Sequence, residues 1–179
     1  MDTLPGVARP AEPDGFRDFV QARSRALLRS GWLLTGDWPS AEDLVQTALA
    51  AAWPRWDSLT RQDAPELYVR KIMVNTFLRW RQRRWNGEIA TERLPEPHAY
   101  GDAFAQVDAR QALLAALDRL PARQRAVVVL RYFADQTESQ TAAVMGCSVG
   151  TVKSHAAKAL ARLRDAPGLA ELMTGGVAS

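Results

Sequence analysis

Apolar side chains recur at helical spacing along most of the chain, and short breaks rich in glycine, proline or aspartate separate these segments. The helices predicted in this way cover residues 15–34, 41–53, 65–85, 108–120, 121–133, 138–145 and 149–163. No segment shows the alternation of a half-buried strand. The pattern therefore predicts an all-α fold, with residues 54–64 as a loop.

Two short helices joined by a tight turn are predicted near the C-terminal end. Thr137 and Gln140 have capping-box spacing, which starts the first helix. Gly146 ends it, since glycine adopts the left-handed C-terminal conformation at little cost, and Ser148 caps the helix over 149–163. This order of helix, turn and helix predicts a helix-turn-helix.

The second of these helices separates its residues by face. Its apolar stripe consists of Val152, Ala156, Ala159, Leu160 and Leu163. Its polar and basic front carries the candidate DNA contacts Ser148, Thr151, Lys153, Ser154, His155, Lys158 and Arg162. No acid occurs from residue 149 to 164, so the N-terminal residues suit base edges and the basic ones suit phosphates. Periodicity alone leaves open a solvated basic face on an ordinary helical hairpin.

A second basic helix is predicted at residues 65–85, where Pro65 suits the first helical position. Its apolar stripe consists of Val69, Ile72, Met73, Phe77 and Trp80. Around the stripe lie Arg70, Lys71, Arg79, Arg81, Arg83 and Arg84, interleaved with Tyr68, Trp80 and Trp85. Basic and aromatic residues in this mixture suit phosphates and unstacked bases. A solvated basic face is again the alternative.

The predicted helix over 41–53 leaves a different kind of surface. Ser40 and Asp43 have capping-box spacing, and a proline follows the last residue, Trp53. With the apolar face turned inward, Asp43, Gln46, Leu49 and Trp53 are left as candidates for a partner. The alternative is that Asp43 only caps the helix and that Trp53 belongs to the core.

Residues 86–107 differ in character from the helices on either side. Glycine and proline interrupt them, and the acids Glu88, Glu92, Glu96 and Asp102, with Asp108 just beyond, outnumber the single base Arg93. This composition predicts a flexible acidic linker between two small helical domains, at residues 15–85 and 108–165. Residues 1–14 are expected to be disordered, and residues 166–179 to form a frayed tail.

Composition narrows the possible functions. The 179 residues are 47% hydrophobic and 24% charged, as in ordinary globular proteins, and the net charge is only +3, so a nucleic-acid surface must come from clustering. One cysteine excludes an internal disulfide and a cysteine-rich zinc site. The sequence contains no apolar run of about 18 residues that could span a membrane, and its N-terminus does not resemble a signal peptide. A cytoplasmic location is therefore expected. Because no phosphate loop, metal-ligand cluster or paired nucleophile occurs, no enzyme activity, metal or cofactor is expected.

Four motifs, in this order, resemble a bacterial sigma factor. They are Ala-Glu-Asp-Leu-Val-Gln at 41–46, Tyr-Val-Arg-Lys at 68–71 with Asn75, Leu-Pro-Ala-Arg-Gln-Arg at 120–125, and Gly-Cys-Ser-Val-Gly-Thr-Val-Lys-Ser at 146–154. The chain is identified as a member of the extracytoplasmic-function (ECF, group IV) subclass of the sigma-70 superfamily, close to the SigE-like actinobacterial branch. The resemblance covers roughly residues 15–164. Thr141 stands where a larger aliphatic residue is common in the family.

The resemblance implies a division of labour. Residues 15–85 would be a region 2-like domain and 108–165 a region 4-like domain. The helix over 41–53 would bind the clamp of the largest subunit of core RNA polymerase through Asp43, Gln46, Leu49 and Trp53. The −10 element of promoter DNA would be opened and held by Trp56, Tyr68, Lys71, Asn75, Arg79, Trp80, Arg83 and Arg84.

The helix over 149–163 would read the −35 element of the promoter, and the linker would run through the polymerase toward the RNA exit path. An anti-sigma factor is a common further partner in this group, and the sequence leaves open whether this chain has one. The competing function is a stand-alone helix-turn-helix regulator that acts without polymerase.

Overall fold

Helices make up nearly all of the chain that the computed structural model describes, which is residues 12–87 and 104–166. They are α1 (Phe16–Thr35), α2 (Trp38–Ala52), α3 (Trp56–Arg61), α4 (Pro65–Trp85), α5 (Phe104–Asp118), α6 (Ala122–Val128), α7 (Glu138–Met145) and α8 (Val149–Arg164). A 3-10 turn (Trp53–Arg55) precedes α3, and a π-helical turn (Val129–Phe133) follows α6. No strand occurs in these two ranges, so the predicted all-α fold is confirmed. The segments expected to be disordered (1–14), a linker (86–107) and a frayed tail (166–179) lie outside the described residues, apart from their edges.

The start of α2 corrects the predicted capping box at Ser40. Asp37 caps the helix instead, since its side chain accepts a hydrogen bond of 2.8 Å from the backbone N–H of Ser40. Trp38 and Pro39 therefore occupy the first turn, where a proline removes no hydrogen bond. Just before this cap, α1 ends at Gly36, which has a φ of 90°.

The expected loop at 54–64 is also wrong, because most of it is helical. Pro54 lies in the first turn of a 3-10 segment, where it does not interrupt helical structure, and α3 follows directly. Trp56 is 2% exposed, and its indole N–H donates to the backbone carbonyl of Asp14 at 2.9 Å. Its ring also meets Phe16 edge-on, with ring centroids 4.9 Å apart. Trp56, the first residue of α3, thus joins α3 to the start of α1.

The predicted helix-turn-helix is present. Thr137 accepts from the backbone N–H of Gln140 at 3.1 Å, and the Gln140 side chain accepts from the backbone N–H of Thr137 at 2.9 Å, which completes the capping box. Gly146 ends α7 with a φ of 62°. Ser148 then caps α8 by accepting from the backbone N–H of Thr151 at 3.1 Å.

Two other features of the second half differ from the expectation. α5 begins at Phe104, four residues before the predicted boundary at 108, because no glycine or proline interrupts the chain after Gly101. The predicted helix over 121–133 ends in a π-helical turn, in which the N–H of Ala134 donates to the carbonyl of Val129. A turn of this kind is uncommon in helices and redirects the chain toward α7.

The two helical halves each bury an apolar face and also touch one another. In the first half, α2 packs between α1 and α4, and in the second, α8 packs on α6 and α7. Across the boundary, α4 contacts α6 and α7, and α1 contacts the π-helical turn. The described side chains of both halves consequently form one continuous set of buried residues.

Candidate nucleic-acid interface

One side of α8 packs against the protein, and the opposite, polar side is exposed. Val152, Ala159 and Leu163 are buried, while Ser154 and Lys158 are exposed and Thr151 and His155 are half-buried beside them. The hydroxyls of Ser148 and Thr151 lie 2.9 Å apart at the start of the helix. Small polar groups at the N-terminal end of a helix with basic residues further along suit base edges and phosphates respectively.

Two residues expected on this front are engaged by neighbouring helices. The Lys153 ammonium lies 3.6 Å from the carboxylate of Glu138 on α7, and the Lys153 side chain is 63% exposed. An exposed pair of this kind costs little to separate, so Lys153 remains available to a phosphate. Arg162 donates to the side-chain oxygen of buried Gln124 at 2.8 Å, so Arg162 joins α8 to α6 as well as facing solvent.

One face of α4 collects most of the residues expected at the −10 element. Lys71, Asn75, Arg79 and Arg83 are exposed and follow one another at four-residue spacing, and half-buried Tyr68 precedes them. Residues four apart lie above one another on a helix. Within the described ranges, no acid lies at ion-pair distance from Lys71, Arg79 or Arg83. We call this row of five residues the α4 stripe.

The other three residues expected at the −10 element are not part of the α4 stripe. Trp80 and Arg84 lie on another side of α4, where they line a small cleft together with Thr35, Phe77 and Arg81. Trp56 is buried in the core, so the expectation that its ring is free to contact DNA is wrong for this structure. Its burial was missed because its partners, at the start of α1, are distant in sequence.

Arg70 has a structural position although it lies among the basic residues of α4. Its guanidinium is 4% exposed and forms a salt bridge of 2.8 Å with Glu66, and it also donates to the hydroxyl of Ser30. Glu66 lies 3.3 Å from Arg23 of α1 as well. Arg70 therefore ties α4 to α1 and does not face a ligand.

The outer face of α2 forms an open apolar hollow. Asp43 and Gln46 are exposed, and Leu49 and Trp53 are half-buried. The hollow has a volume of about 410 Å³ and is lined by Phe16, Gln46, Leu49, Ala50 and Trp53. Because Asp37 caps α2, Asp43 has no capping role, and its side chain is exposed.

Sequence reasoning missed the residue that crosses between the halves. Arg125 of α6 is 1% exposed, its Nε–H donates to the carbonyl of Leu33 in α1 at 2.8 Å, and its Nη1 lies 3.1 Å from the carboxylate of Asp118. Arg81 of α4 reaches the same carboxylate at 3.4 Å. Burial lowers the pKa of Arg125 to about 10, against the opposing effect of Asp118, so the guanidinium stays charged at neutral pH. The only signal in the sequence was an arginine beside the apolar run at 126–130.

The described helices hold neither a cluster of three or more metal-ligating side chains nor a segment that is long and apolar enough to cross a membrane. Two basic faces on separate helices, with an apolar hollow on a third, define a two-part protein that binds DNA and another macromolecule.

Comparisons with known proteins agree with this class. The family described as "Sigma-70 region 2" matches residues 19–87, and "Sigma-70, region 4" matches residues 110–163. These two matches, with 42% identity to one sigma factor over 84% of the chain and 33% identity to an ECF sigma factor over 83% of it, show that the chain belongs to the sigma-70 family, in its ECF subclass. It is an RNA polymerase sigma factor that directs promoter-specific initiation by the core polymerase.

The relatives have similar lengths. The "RNA polymerase sigma-E factor" of Streptomyces coelicolor is 42% identical over 150 residues, which is 84% of this chain and 84% of the relative. The "ECF RNA polymerase sigma factor SigM" of Mycobacterium tuberculosis is 33% identical over 148 residues, covering 83% of this chain and 74% of the relative. Among solved structures, the Bartonella quintana sigma factor RpoE in complex with the anti-sigma factor NepR matches with a TM-score of 0.68 and 26% identity, over 86% of this chain and 96% of that chain.

Proposed function

We propose that this sigma factor divides its work among three surfaces, and that each surface acts through the residues named above. The hollow on α2 takes the polymerase clamp, the α4 stripe takes the opened −10 strand, and the front of α8 reads the −35 element. The observation that carries the proposal is that these three surfaces lie on three different helices and that all are exposed together. Two DNA elements and the polymerase can then be engaged by one chain.

On α2, the proposal rests on the combination of an apolar hollow and two exposed polar side chains. Leu49 and Trp53 offer apolar area to a helix of the partner, and interfaces of this kind bury apolar residues at the centre. Gln46, which lines the hollow, and Asp43, which is exposed on the same helix, supply hydrogen bonds that fix the partner's orientation.

Along α4, the proposal rests on unpaired positive charge in a row. Opening a duplex costs a few kcal/mol for each unstacked base. Stacking on aromatic side chains returns about 1–3 kcal/mol per base, and contacts between arginine and phosphate add affinity that does not depend on sequence. Lys71, Arg79 and Arg83 supply the phosphate contacts, and Tyr68 and Asn75 are placed to meet a base.

On α8, the proposal is that Thr151, Ser154 and His155 meet base edges while Lys153 and Lys158 meet phosphates. Each good base contact discriminates by about 1–3 kcal/mol. Ser148, as the cap, holds the helix N-terminus in place beside the backbone of the DNA. Arg162 contributes by fixing α8 on Gln124, and its guanidinium reaches a phosphate only at the border of the contact.

We propose further that the chain works in the cytoplasm, where polymerase and chromosome are found, and that it has no catalytic step of its own. We also propose an anti-sigma protein as a partner, supported by the complex in which the similar sigma factor RpoE was solved. A protein captured by this chain counts as such a partner only if it displaces core polymerase.

Run-off transcription with core polymerase and a pool of random promoters tests the proposal. We expect initiation only when the chain is present, from templates that share two short elements at a fixed separation. Operator binding by the free chain, with no effect on polymerase, would instead indicate a stand-alone helix-turn-helix regulator. Enrichment of templates with a single element would remove either α4 or α8 from the proposal.

A further inference from the structure

Glu138 is an acid that lies beside the basic front of α8. It belongs to the first turn of α7, and its carboxylate is 3.6 Å from the ammonium of Lys153. Both side chains reach solvent, so water screens the pair and it opens easily. Helix α8 itself contains no acid, and Lys158 of the same front has no acid at ion-pair distance among the described residues. Glu138 therefore acts on one particular cation of the front.

The fold does not need Glu138 to begin α7. Thr137 and Gln140 complete the capping box without it. The helix dipole favours a carboxylate in the first turn, which accounts for an acid at this position but not for its contact with Lys153. In a helix-turn-helix, the first helix crosses the DNA backbone while the second enters the major groove. Because Lys153 lies on the front of α8, the carboxylate that contacts it lies beside the path of the phosphates.

An acid at this position weakens the binding of phosphates whatever the sequence of the DNA. Each phosphate that a lysine neutralises adds affinity through the release of a counterion. While Glu138 pairs with Lys153, that lysine is already neutralised, and its contact with a phosphate adds less. We propose that Glu138 limits the sequence-blind affinity of the α8 front for duplex DNA by pairing with Lys153. This inference rests on the proposed function of α8, and its consequence is that bulk DNA holds less of the chain away from polymerase.

The first test measures duplex binding by the full chain. Glu138→Gln removes the charge and keeps the size, and Asp135→Asn is the matched control, with the same change in net charge at a nearby exposed acid. Asp135 has a φ of 51°, which asparagine also adopts. The probe is a fluorescein-labelled duplex of about 20 base pairs and mixed sequence, which is two turns of the double helix. Fluorescence anisotropy gives the affinities from about 50 to 200 mM salt.

We expect Glu138→Gln to bind the duplex more tightly by about 1.4- to 5-fold, the factor that corresponds to about 0.2–1 kcal/mol for an exposed ion pair. The slope of log affinity against log salt should become steeper by up to about 0.9, as for one further phosphate contact. Asp135→Asn should change the affinity by less than about 1.2-fold, because solvent screens an exposed charge that has no close partner. A gain in affinity does not result from misfolding. Unchanged or weaker binding by Glu138→Gln, or an equal gain by Asp135→Asn, would overturn the proposal.

Lys153→Met shows whether Glu138 acts through Lys153. In a chain that already carries Lys153→Met, the gain in binding free energy from Glu138→Gln should fall to half or less, since the cation that pairs with Glu138 is absent. If more than half of the gain remains, the carboxylate repels phosphates directly and the proposed pairing is wrong. On a promoter duplex obtained from the run-off selection, the gain should equal that on the mixed sequence, because phosphates carry no sequence information. A gain confined to the promoter would contradict the sequence-blind role.

Lys158→Met separates a failure of this inference from a failure of the proposed function. It removes a cation of the front that Glu138 does not contact, so it should weaken duplex binding if the front of α8 binds phosphates at all. If Lys158→Met weakens binding while Glu138→Gln has no effect, only the role of Glu138 is lost. If neither substitution changes duplex binding, the front of α8 does not bind DNA, and the proposed function of α8 fails as well.

Discussion

Arg125 offers the sharpest test of how the two helical halves are held together. Its guanidinium is 1% exposed and donates to the Leu33 carbonyl across the boundary. Burial lowers the pKa of Arg125 from its ordinary value to about 10, which corresponds to about 3 kcal/mol against the charged form. The partner carboxylate of Asp118 is 53% exposed, so its attraction is screened and does not remove this cost. Arg125 is thus a buried charge that is tolerated for its hydrogen bonds and its packing.

Three substitutions separate these contributions. Arg125→Met keeps most of the side-chain stem and removes the buried charge, which relieves about 3 kcal/mol, but it leaves the Leu33 carbonyl without a donor, at about 1–3 kcal/mol. We expect Arg125→Met to remain within about 2 kcal/mol of the unaltered chain. Arg125→Ala removes the same charge but leaves a cavity as well, so it should be less stable than Arg125→Met by about 2–5 kcal/mol.

Arg125→Lys, which conserves the charge, should destabilise the chain more than the apolar substitution Arg125→Met. Arg125→Lys keeps the charge buried, and its single ammonium lacks the fork with which Arg125 reaches both Leu33 and Asp118. We therefore expect Arg125→Lys to be less stable than Arg125→Met by about 1–3 kcal/mol. Arg123→Met, at an exposed arginine of the same helix, is the matched control and should change stability by less than about 0.5 kcal/mol.

Urea unfolding of the full chain, followed by circular dichroism, gives the free energies of unfolding. The pH dependence is an internal check. Because the folded pKa lies below the unfolded one, the cost of the buried charge is fully present below about pH 10 and disappears only above the pKa of the unfolded chain. The difference between the unaltered chain and Arg125→Met should therefore be constant from about pH 6 to pH 9. A Lys variant as stable as the unaltered chain, with an unfolded Met variant, would refute this reasoning, since charge alone would then hold the halves.

Three further outcomes are expected. Thr141 is fully buried and its hydroxyl has no hydrogen-bond partner among the described residues, so Thr141→Val should raise stability by about 1 kcal/mol in the same urea assay; lower stability would indicate a bond that the hydroxyl does make. His155→Ala should weaken binding to a promoter's −35 element by about 1–3 kcal/mol in holoenzyme footprinting while polymerase binding is unchanged, and an equal loss of both would indicate misfolding. Asp43→Ala combined with Gln46→Ala should weaken core polymerase binding in a pull-down without lowering the unfolding temperature, because both side chains are exposed; unchanged binding would take α2 out of the interface.

The sequence predicted well those features that depend on neighbouring residues. The capping box at Thr137, the turn at Gly146 and the polar front of α8 follow from local spacing, and the structure has all three. Lys71, Asn75, Arg79 and Arg83 of the α4 stripe also follow a four-residue period, although they were expected together with Trp80 and Arg84, which lie on another side of the helix. Local patterns determine which face of a helix is polar, so the candidate surfaces were accessible without coordinates.

The failures have a common physical cause, which is contact between residues far apart in the chain. Trp56 was expected to be free because nothing beside it in sequence could cover it, yet the start of α1 does so. Arg125 was noticed only as the last residue of the motif at 120–125, although its partner is the Leu33 carbonyl. Neither a hydrogen bond to a distant carbonyl nor an aromatic contact across helices leaves a periodic signal in the sequence.

The packing of the two halves leaves the proposed functional surfaces uncovered, and the geometry of α4 explains why. Its buried side, which includes Val69, Met73 and Phe77, belongs to the core, while the α4 stripe faces solvent on the remaining side. A helix packed against several neighbours can keep one face free of protein contacts when that face carries no apolar residue that needs covering. Along the α4 stripe that condition holds, since Tyr68 is its only aromatic member and is half-buried. Introducing a leucine at Asn75 would therefore leave the packing of the core intact and would place an apolar side chain where the opened strand is expected to lie.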